Sequence, residues 1–169
     1  MLFRSLANRD YKESLDNLNK AYTIDRTDVN PLNNLGFFYA RVSNEYFNSL
    51  SSNIKSWYFS GRDDDLTVKS SLDLAINFYR RTLLIDKNNV TAMLGIGNAY
   101  FYQGQYTQAK KYYEDILKVD KNSVIGYSGL LNLYIERDSF PMVGTLHAEI
   151  RGKNMLPDLP SPLLSKLAG

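Results

Sequence analysis

The chain has 169 residues, a formal net charge of +2 and no cysteine. This length suits one ordinary domain with its own core, and the small net charge provides no strong field to attract nucleic acid or an anionic membrane. The absence of cysteine excludes disulfides, thiolate metal sites and cysteine nucleophiles, and no apolar run approaches the roughly 20 residues that span a bilayer.

The first predicted elements are a helix at 14–24, SLDNLNKAYTI, and the polar linker DRTDV. A second helix follows. Its apolar residues keep helical spacing as far as Trp57, beyond the point at which the helices of the repeat described below end. The same spacing resumes at Val68, and Gly61 with the aspartate run beside it provides a turn between the two stretches. We therefore predict an elongated helical hairpin inserted at about 42–70, with SWYFSGRDDD at its tip.

The next elements contain an internal repeat with a period of about 34 residues. The linker DKNNV begins at Asp86 and the linker DKNSV at Asp120, and each follows a helical stretch, at 74–85 and 108–119. Ala, Tyr and Leu recur at equal positions of the two stretches. The earlier linker DRTDV begins at Asp25. The separation between Asp25 and Asp86 is longer than one period, and the additional residues indicate an insertion. Repetition at such a period is typical of solenoid proteins.

Residues 90–123 carry the clearest copy, and they resemble the tetratricopeptide repeat, a helix–turn–helix unit of about 34 residues. The residues that match the family's pattern are Ile96, Gly97, Tyr100, Gly104, Tyr106, Ala109 and Tyr113. Ile116 and Lys121 depart from it, because the family has Ala and Pro there. Weaker copies start at Val29 and Val124, and an incomplete first copy keeps Tyr11, Ser14, Leu18 and Ala21.

The resemblance implies an all-α fold, a helical-repeat solenoid of antiparallel helix pairs in which one repeat carries the elongated hairpin insertion. About four repeats are expected over residues 1–156, with the first incomplete, and residues 157–169 are expected to form a C-terminal tail or capping helix. The first leading helix would need residues before Met1, so we expect the chain to be a fragment of a longer protein. A cytoplasmic location and an extracytoplasmic location in a bacterial envelope both fit such a fragment.

In this family the leading helix of each repeat lines a concave groove, so the resemblance implies a non-enzymatic adaptor that binds a protein or peptide partner. The implied groove residues are Asn30, Asn33, Asn34, Phe37, Arg41, Thr91, Leu94, Asn98, Phe101, Tyr102, Ile125, Ser128, Asn132, Ile135 and Glu136. Amides and aromatic rings dominate this set. Arg41 is its one cation, and none stands at the positions from which the family's carboxylate-clamp variant grips an acidic tail. We expect a neutral peptide or an amphipathic helix as the ligand. For each residue, packing between neighbouring helices is the alternative.

The hairpin tip is a second candidate contact surface. It carries Trp57, Tyr58 and Phe59, three successive aromatic residues that cannot all face one neighbouring helix. The alternative is that these rings cap the hairpin's own small core. A second functional hypothesis follows from the same surface: the chain is a structural subunit that self-assembles through its hairpin or its solenoid ends, which leaves homo-oligomerisation open.

The sequence predicts no enzyme, no cofactor, no metal site and no nucleic-acid partner. The single histidine, His147, falls at the repeat position that Tyr79 and Tyr113 occupy, which is a packing position. Aspartates 63–65 precede a helix, where they are expected to cap its N-terminus rather than bind a cation. No phosphate-binding Gly-rich loop, Ser-His-Asp set or pair of catalytic carboxylates can be placed.

Overall fold

A computed structural model describes residues 11–42 and 68–167. Within these ranges the chain forms α-helices and one 3-10 turn and contains no β-strand. The elements are α1 (Tyr11–Ile24), α2 (Val29–Val42), α3 (Val68–Ile85), α4 (Val90–Tyr102), α5 (Tyr106–Val119), α6 (Val124–Glu136), α7 (Phe140–Gly152), the 3-10 turn (Leu156–Asp158) and α8 (Ser161–Leu167). The all-α class predicted from the sequence is confirmed. The hairpin insertion, including Trp57, Tyr58, Phe59 and aspartates 63–65, lies outside the described residues apart from its two ends.

The repeated linkers start the leading helices α2, α4 and α6 with the same hydrogen bonds. In each linker the first carboxylate accepts from the backbone N–H two residues later. The acceptors are Asp25, Asp86 and Asp120, at 2.8, 3.1 and 2.9 Å. Asn89 and Ser123 then cap α4 and α6 by accepting from backbone N–H groups in the first turn, at 3.0 and 3.3 Å. The aspartate bonds fold the linker just ahead of each helix, and the Asn89 and Ser123 bonds satisfy N–H groups that the starts of α4 and α6 leave free.

The chain divides into two compact units, residues 1–95 and 96–169. In the first unit α2 packs against α1 and α3. The Tyr39 ring stacks on Phe78 with 5.4 Å between ring centroids. The Arg81 guanidinium of α3 lies 4.7 Å from the ring centre of Tyr22 in α1 and donates to its hydroxyl. The apolar core is formed by Leu18, Leu32, Leu35, Phe38, Leu72, Ile76 and Tyr79.

A tyrosine between two glycines fixes the packing in this unit. Tyr79 is buried, and its ring lies against Gly36 of α2 and Gly95 of α4. A Cβ atom added to Gly36 or Gly95 would lie 2.7 or 2.3 Å from the ring, closer than carbon atoms can approach. The glycines therefore provide the space that lets the phenol pass between the two leading helices.

The second unit repeats this arrangement around Tyr113. Its ring lies against Gly97 of α4 and Gly129 of α6, where added Cβ atoms would lie 2.7 and 2.5 Å away. In this unit α6 packs against α5, α7 and α8. The segment after α7 is held by three buried apolar side chains, Met155, Leu159 and Leu163. The C-terminal residues that were expected to form a tail or capping helix thus contain α8, which contacts α6.

No helix in the described ranges is both long enough and apolar enough to cross a membrane.

Candidate functional site

The second unit contains a cavity of about 260 Å³, which we call the second-unit cavity. It is lined by Asn98, Phe101 and Tyr102 of α4, Tyr113 of α5, Gly129, Asn132 and Glu136 of α6, and Lys166 of α8. Five of these residues belong to the groove set predicted from the sequence, and they come from two successive leading helices. The structure therefore brings this part of the predicted set together around one depression.

Asn98 is oriented by the trailing helix. The Tyr113 hydroxyl donates to the Asn98 Oδ1 atom at 2.8 Å. Burial raises the pKa of the Tyr113 phenol far above its ordinary value, so the phenol keeps its proton at neutral pH and remains a donor. With Oδ1 engaged, the Asn98 amide nitrogen has no partner among the described residues and is available to a ligand.

Aromatic rings form the wall beside this amide. Phe101 makes edge-to-face contacts with Tyr102 and Tyr106, with ring centroids 5.7 Å apart in both pairs. These contacts fix the Phe101 ring in place. Tyr102 is 73% exposed, which is unusual for a large aromatic side chain in a folded unit. The wall thus combines the Phe101 ring, which neighbouring rings hold in place, with the Tyr102 ring, which is exposed to solvent.

Two opposite charges lie at the same cavity. Glu136 is the last residue of α6, and Lys166 lies in the last turn of α8. Both side chains line the cavity and are exposed, yet neither forms an ion pair with any residue from 68 to 167 or from 11 to 42. The formal charges cancel, so the cavity offers one unpaired cation, one unpaired anion and two amides.

The first unit holds the remaining predicted groove residues of α2. Asn33 Nδ2 donates to the Asn89 Oδ1 atom at 3.2 Å, so this asparagine links α2 to the residue that caps α4. Its Oδ1 atom is buried and has no partner among the described residues, and the same holds for Ser128 Oγ in the second unit. Asn33 and Ser128 occupy the same position, the fifth residue of a leading helix. Buried polar atoms are normally paired, so these two oxygen atoms depart from the usual pattern.

Other predicted residues show mixed surroundings. Asn34 is exposed, Leu94 and Phe37 are half-buried, and the Arg41 guanidinium lies 5.7 Å from the centre of the Phe37 ring. Ile135 is half-buried and is not among the residues that line the second-unit cavity. Trp57, Tyr58 and Phe59 lie outside the described residues, so the hairpin surface stays a prediction.

Sequence reasoning missed three of the cavity residues, Tyr113, Gly129 and Lys166. The repeat register predicted that Tyr113 occupies a packing position. It did not indicate that the ring lies between Gly97 and Gly129 or that its hydroxyl reaches Asn98. Gly129 has a counterpart in Gly95 one period earlier, and this recurrence could have revealed it. Lys166 lies beyond the last repeat, so no register could place it. His147, predicted at a packing position, is half-buried.

Comparison with known proteins agrees with the helical-repeat fold. The family model of the tetratricopeptide repeat matches residues 90–123. No curated protein matches the sequence.

Among solved structures, the chain is similar to TTC0263, which is described as a thermophilic TPR protein of Thermus thermophilus. The two share 16% sequence identity with a TM-score of 0.54, and the match covers 99% of this chain and 96% of that chain. A second similar structure is the MamA 41-end fragment from Desulfovibrio magneticus RS-1, with 14% identity, a TM-score of 0.47, and 95% and 93% covered. Residues 90–123 are thus a tetratricopeptide repeat, and the chain has the helical-repeat fold of the tetratricopeptide-repeat proteins.

Proposed function

We propose that this chain is a non-enzymatic protein-interaction module that binds a segment of a partner protein at the second-unit cavity. The fold supports the general role, because stacked helical repeats present extended surfaces that bind peptides and proteins. The fold alone does not define a site, so the specific proposal depends on the cavity.

The observation that carries the proposal is the composition of the cavity wall. Two successive leading helices contribute amides and aromatic rings to one depression, and Tyr113 holds one amide in a fixed orientation. Fixed donors beside exposed aromatic rings are typical of sites that bind a peptide, since the rings provide buried area and the amides provide orientation. The self-assembly hypothesis depends on the hairpin or on the solenoid ends. The hairpin lies outside the described residues apart from its two ends, so that part of the hypothesis stays a prediction.

The test is a double substitution, Asn98→Ala with Phe101→Ala. Partners captured by the wild-type chain from its native host are identified, and the purified partner is then titrated against each variant. We expect an affinity loss of about tenfold or more, because removing an aromatic anchor and a fixed amide costs at least about 1.4 kcal/mol. Lys111→Ala is the matched control, since Lys111 is exposed on α5 and does not line the cavity.

Circular dichroism and thermal unfolding of both variants accompany the titration. Weaker binding with an unchanged helical signal supports the proposal. Affinity equal to that of the Lys111→Ala control would refute it, and a collapsed helical signal would place Asn98 and Phe101 in the core rather than in a binding site.

A further inference from the structure

We propose that the second-unit cavity selects a carboxamide side chain, glutamine or asparagine, on the partner segment. This inference rests on the proposed function and names the chemistry that the cavity recognises.

The polar groups of the cavity match the two ends of a carboxamide. The Asn98 amide nitrogen and the Lys166 ammonium can only donate, and the Glu136 carboxylate can only accept. Asn132 carries both kinds of group, and its side chain has no hydrogen-bond partner among the described residues. A carboxamide oxygen can accept from Asn98 or Lys166 while its NH2 group donates to Glu136 or Asn132. Each cavity group that the carboxamide contacts thereby gains a partner of the right type.

The charge balance disfavours the two charged alternatives. A bound carboxylate would pair with Lys166 but would be placed near Glu136, and a bound ammonium would have the reverse problem. Either ligand would bring one like charge close to a cavity residue, and the repulsion between these exposed charges lowers the affinity. An apolar side chain avoids that repulsion, yet it would displace water from the half-buried Asn98 amide without offering it a partner. A neutral group with one donor end and one acceptor end avoids both penalties.

The cavity has room for a side chain of the partner. Its volume of about 260 Å³ lies below the range of about 300–1,000 Å³ that is usual for small-molecule sites. The Phe101 and Tyr102 rings offer an apolar wall for the methylene groups that precede a carboxamide. Glutamine and asparagine join such methylenes to the polar end within one side chain.

The experiment uses three blocked amino acids as probes: N-acetylglutamine methylamide and its glutamate and lysine counterparts. All three share the same main-chain amides, so any difference in binding reports the side chain. Binding is followed in the folded chain by NMR, through the side-chain amide signals of Asn98 and Asn132. We expect the glutamine probe to shift both signals and to bind about tenfold more tightly than the other two, the ratio that one unsatisfied buried polar group produces.

Equal binding of the three probes would overturn the proposal, because recognition would then lie in the main chain. Shifts confined to residues outside the cavity would overturn it as well. Glu136→Gln is the informative variant, since it removes the repulsion of the glutamate probe. We expect the preference for glutamine over glutamate to fall to about threefold or less in this variant. An unchanged preference would contradict the role given to the charge balance.

The two proposals can fail separately. If the Asn98→Ala, Phe101→Ala variant loses the natural partner while the probes show no glutamine preference, the binding function stands and the carboxamide selection is wrong. If the probes show the preference while the natural partner binds the double variant normally, the cavity recognises carboxamides but the partner binds elsewhere.

Discussion

At the scale of single residues, two tyrosines one repeat apart show what a period can and cannot predict. The repeat aligned Tyr79 with Tyr113 and predicted that both rings are packed, which agrees with their burial. It did not predict whether each tyrosine hydroxyl has a hydrogen-bond partner, which depends on one neighbouring residue. Tyr113 donates to Asn98, whereas the corresponding residue near Tyr79 is Phe37, which offers no acceptor. Tyr79 has no hydrogen-bond partner among the described residues.

We expect these hydroxyls to contribute unequally to stability. Tyr113→Phe should lower the free energy of unfolding by about 1 kcal/mol, because Asn98 Oδ1 loses its donor. Tyr79→Phe should change it by less than about half of that, since no described hydrogen bond is lost. Urea unfolding of the two variants and the wild type measures the difference. Equal losses would show that Tyr79 has a partner of comparable strength.

At the scale of secondary-structure elements, the sequence predicted helices well and their contacts less completely. The linkers with Asp followed by a capping residue marked where leading helices begin, because those side chains make local hydrogen bonds that a sequence reveals. Gly97 was recognised from the family pattern as a close-packing position. Gly129 was not, because the residue one period after Gly97 is Leu131 and Gly129 falls outside the family pattern, although it meets the same Tyr113 ring of α5. Only the three-dimensional contact shows that this ring requires both glycines.

A pair of glycine substitutions tests this packing. In Gly97→Ala the new Cβ would lie 2.7 Å from the Tyr113 ring, which is buried and has little room to move. In Gly144→Ala, within α7, the new Cβ meets nothing within 4 Å. Both changes gain the same helix propensity, about 0.5–1 kcal/mol, so their difference isolates the clash.

We expect Gly97→Ala to be less stable than Gly144→Ala by about 1–3 kcal/mol, the usual cost of overpacking. Thermal and urea unfolding measure both variants. If the two alanines were equally stabilising, the Tyr113 ring would have to move freely, and the fixed orientation of Asn98 would lose its basis.

At the scale of the whole molecule, the internal repeat predicted the helical-repeat fold and part of the candidate site. The register placed Asn98, Phe101, Tyr102 and Asn132 on the same face because a leading helix recurs once in every repeat. It could not place Lys166, whose position depends on the contact of α8 with α6 and on the burial of Met155, Leu159 and Leu163. The hairpin at 42–70 remains a prediction of the sequence.

The central claim is that a partner segment occupies the second-unit cavity, and photo-crosslinking tests it most directly. A benzophenone amino acid replaces Tyr102, which lines the cavity and is 73% exposed, or replaces Lys111 as the control. Each protein is irradiated with the purified partner, and the crosslinked peptides are identified by mass spectrometry. We expect position 102 to crosslink to one defined segment of the partner that carries a glutamine or asparagine near the crosslink, and we expect no crosslink from position 111. Crosslinks from position 111 with none from position 102 would contradict the claim.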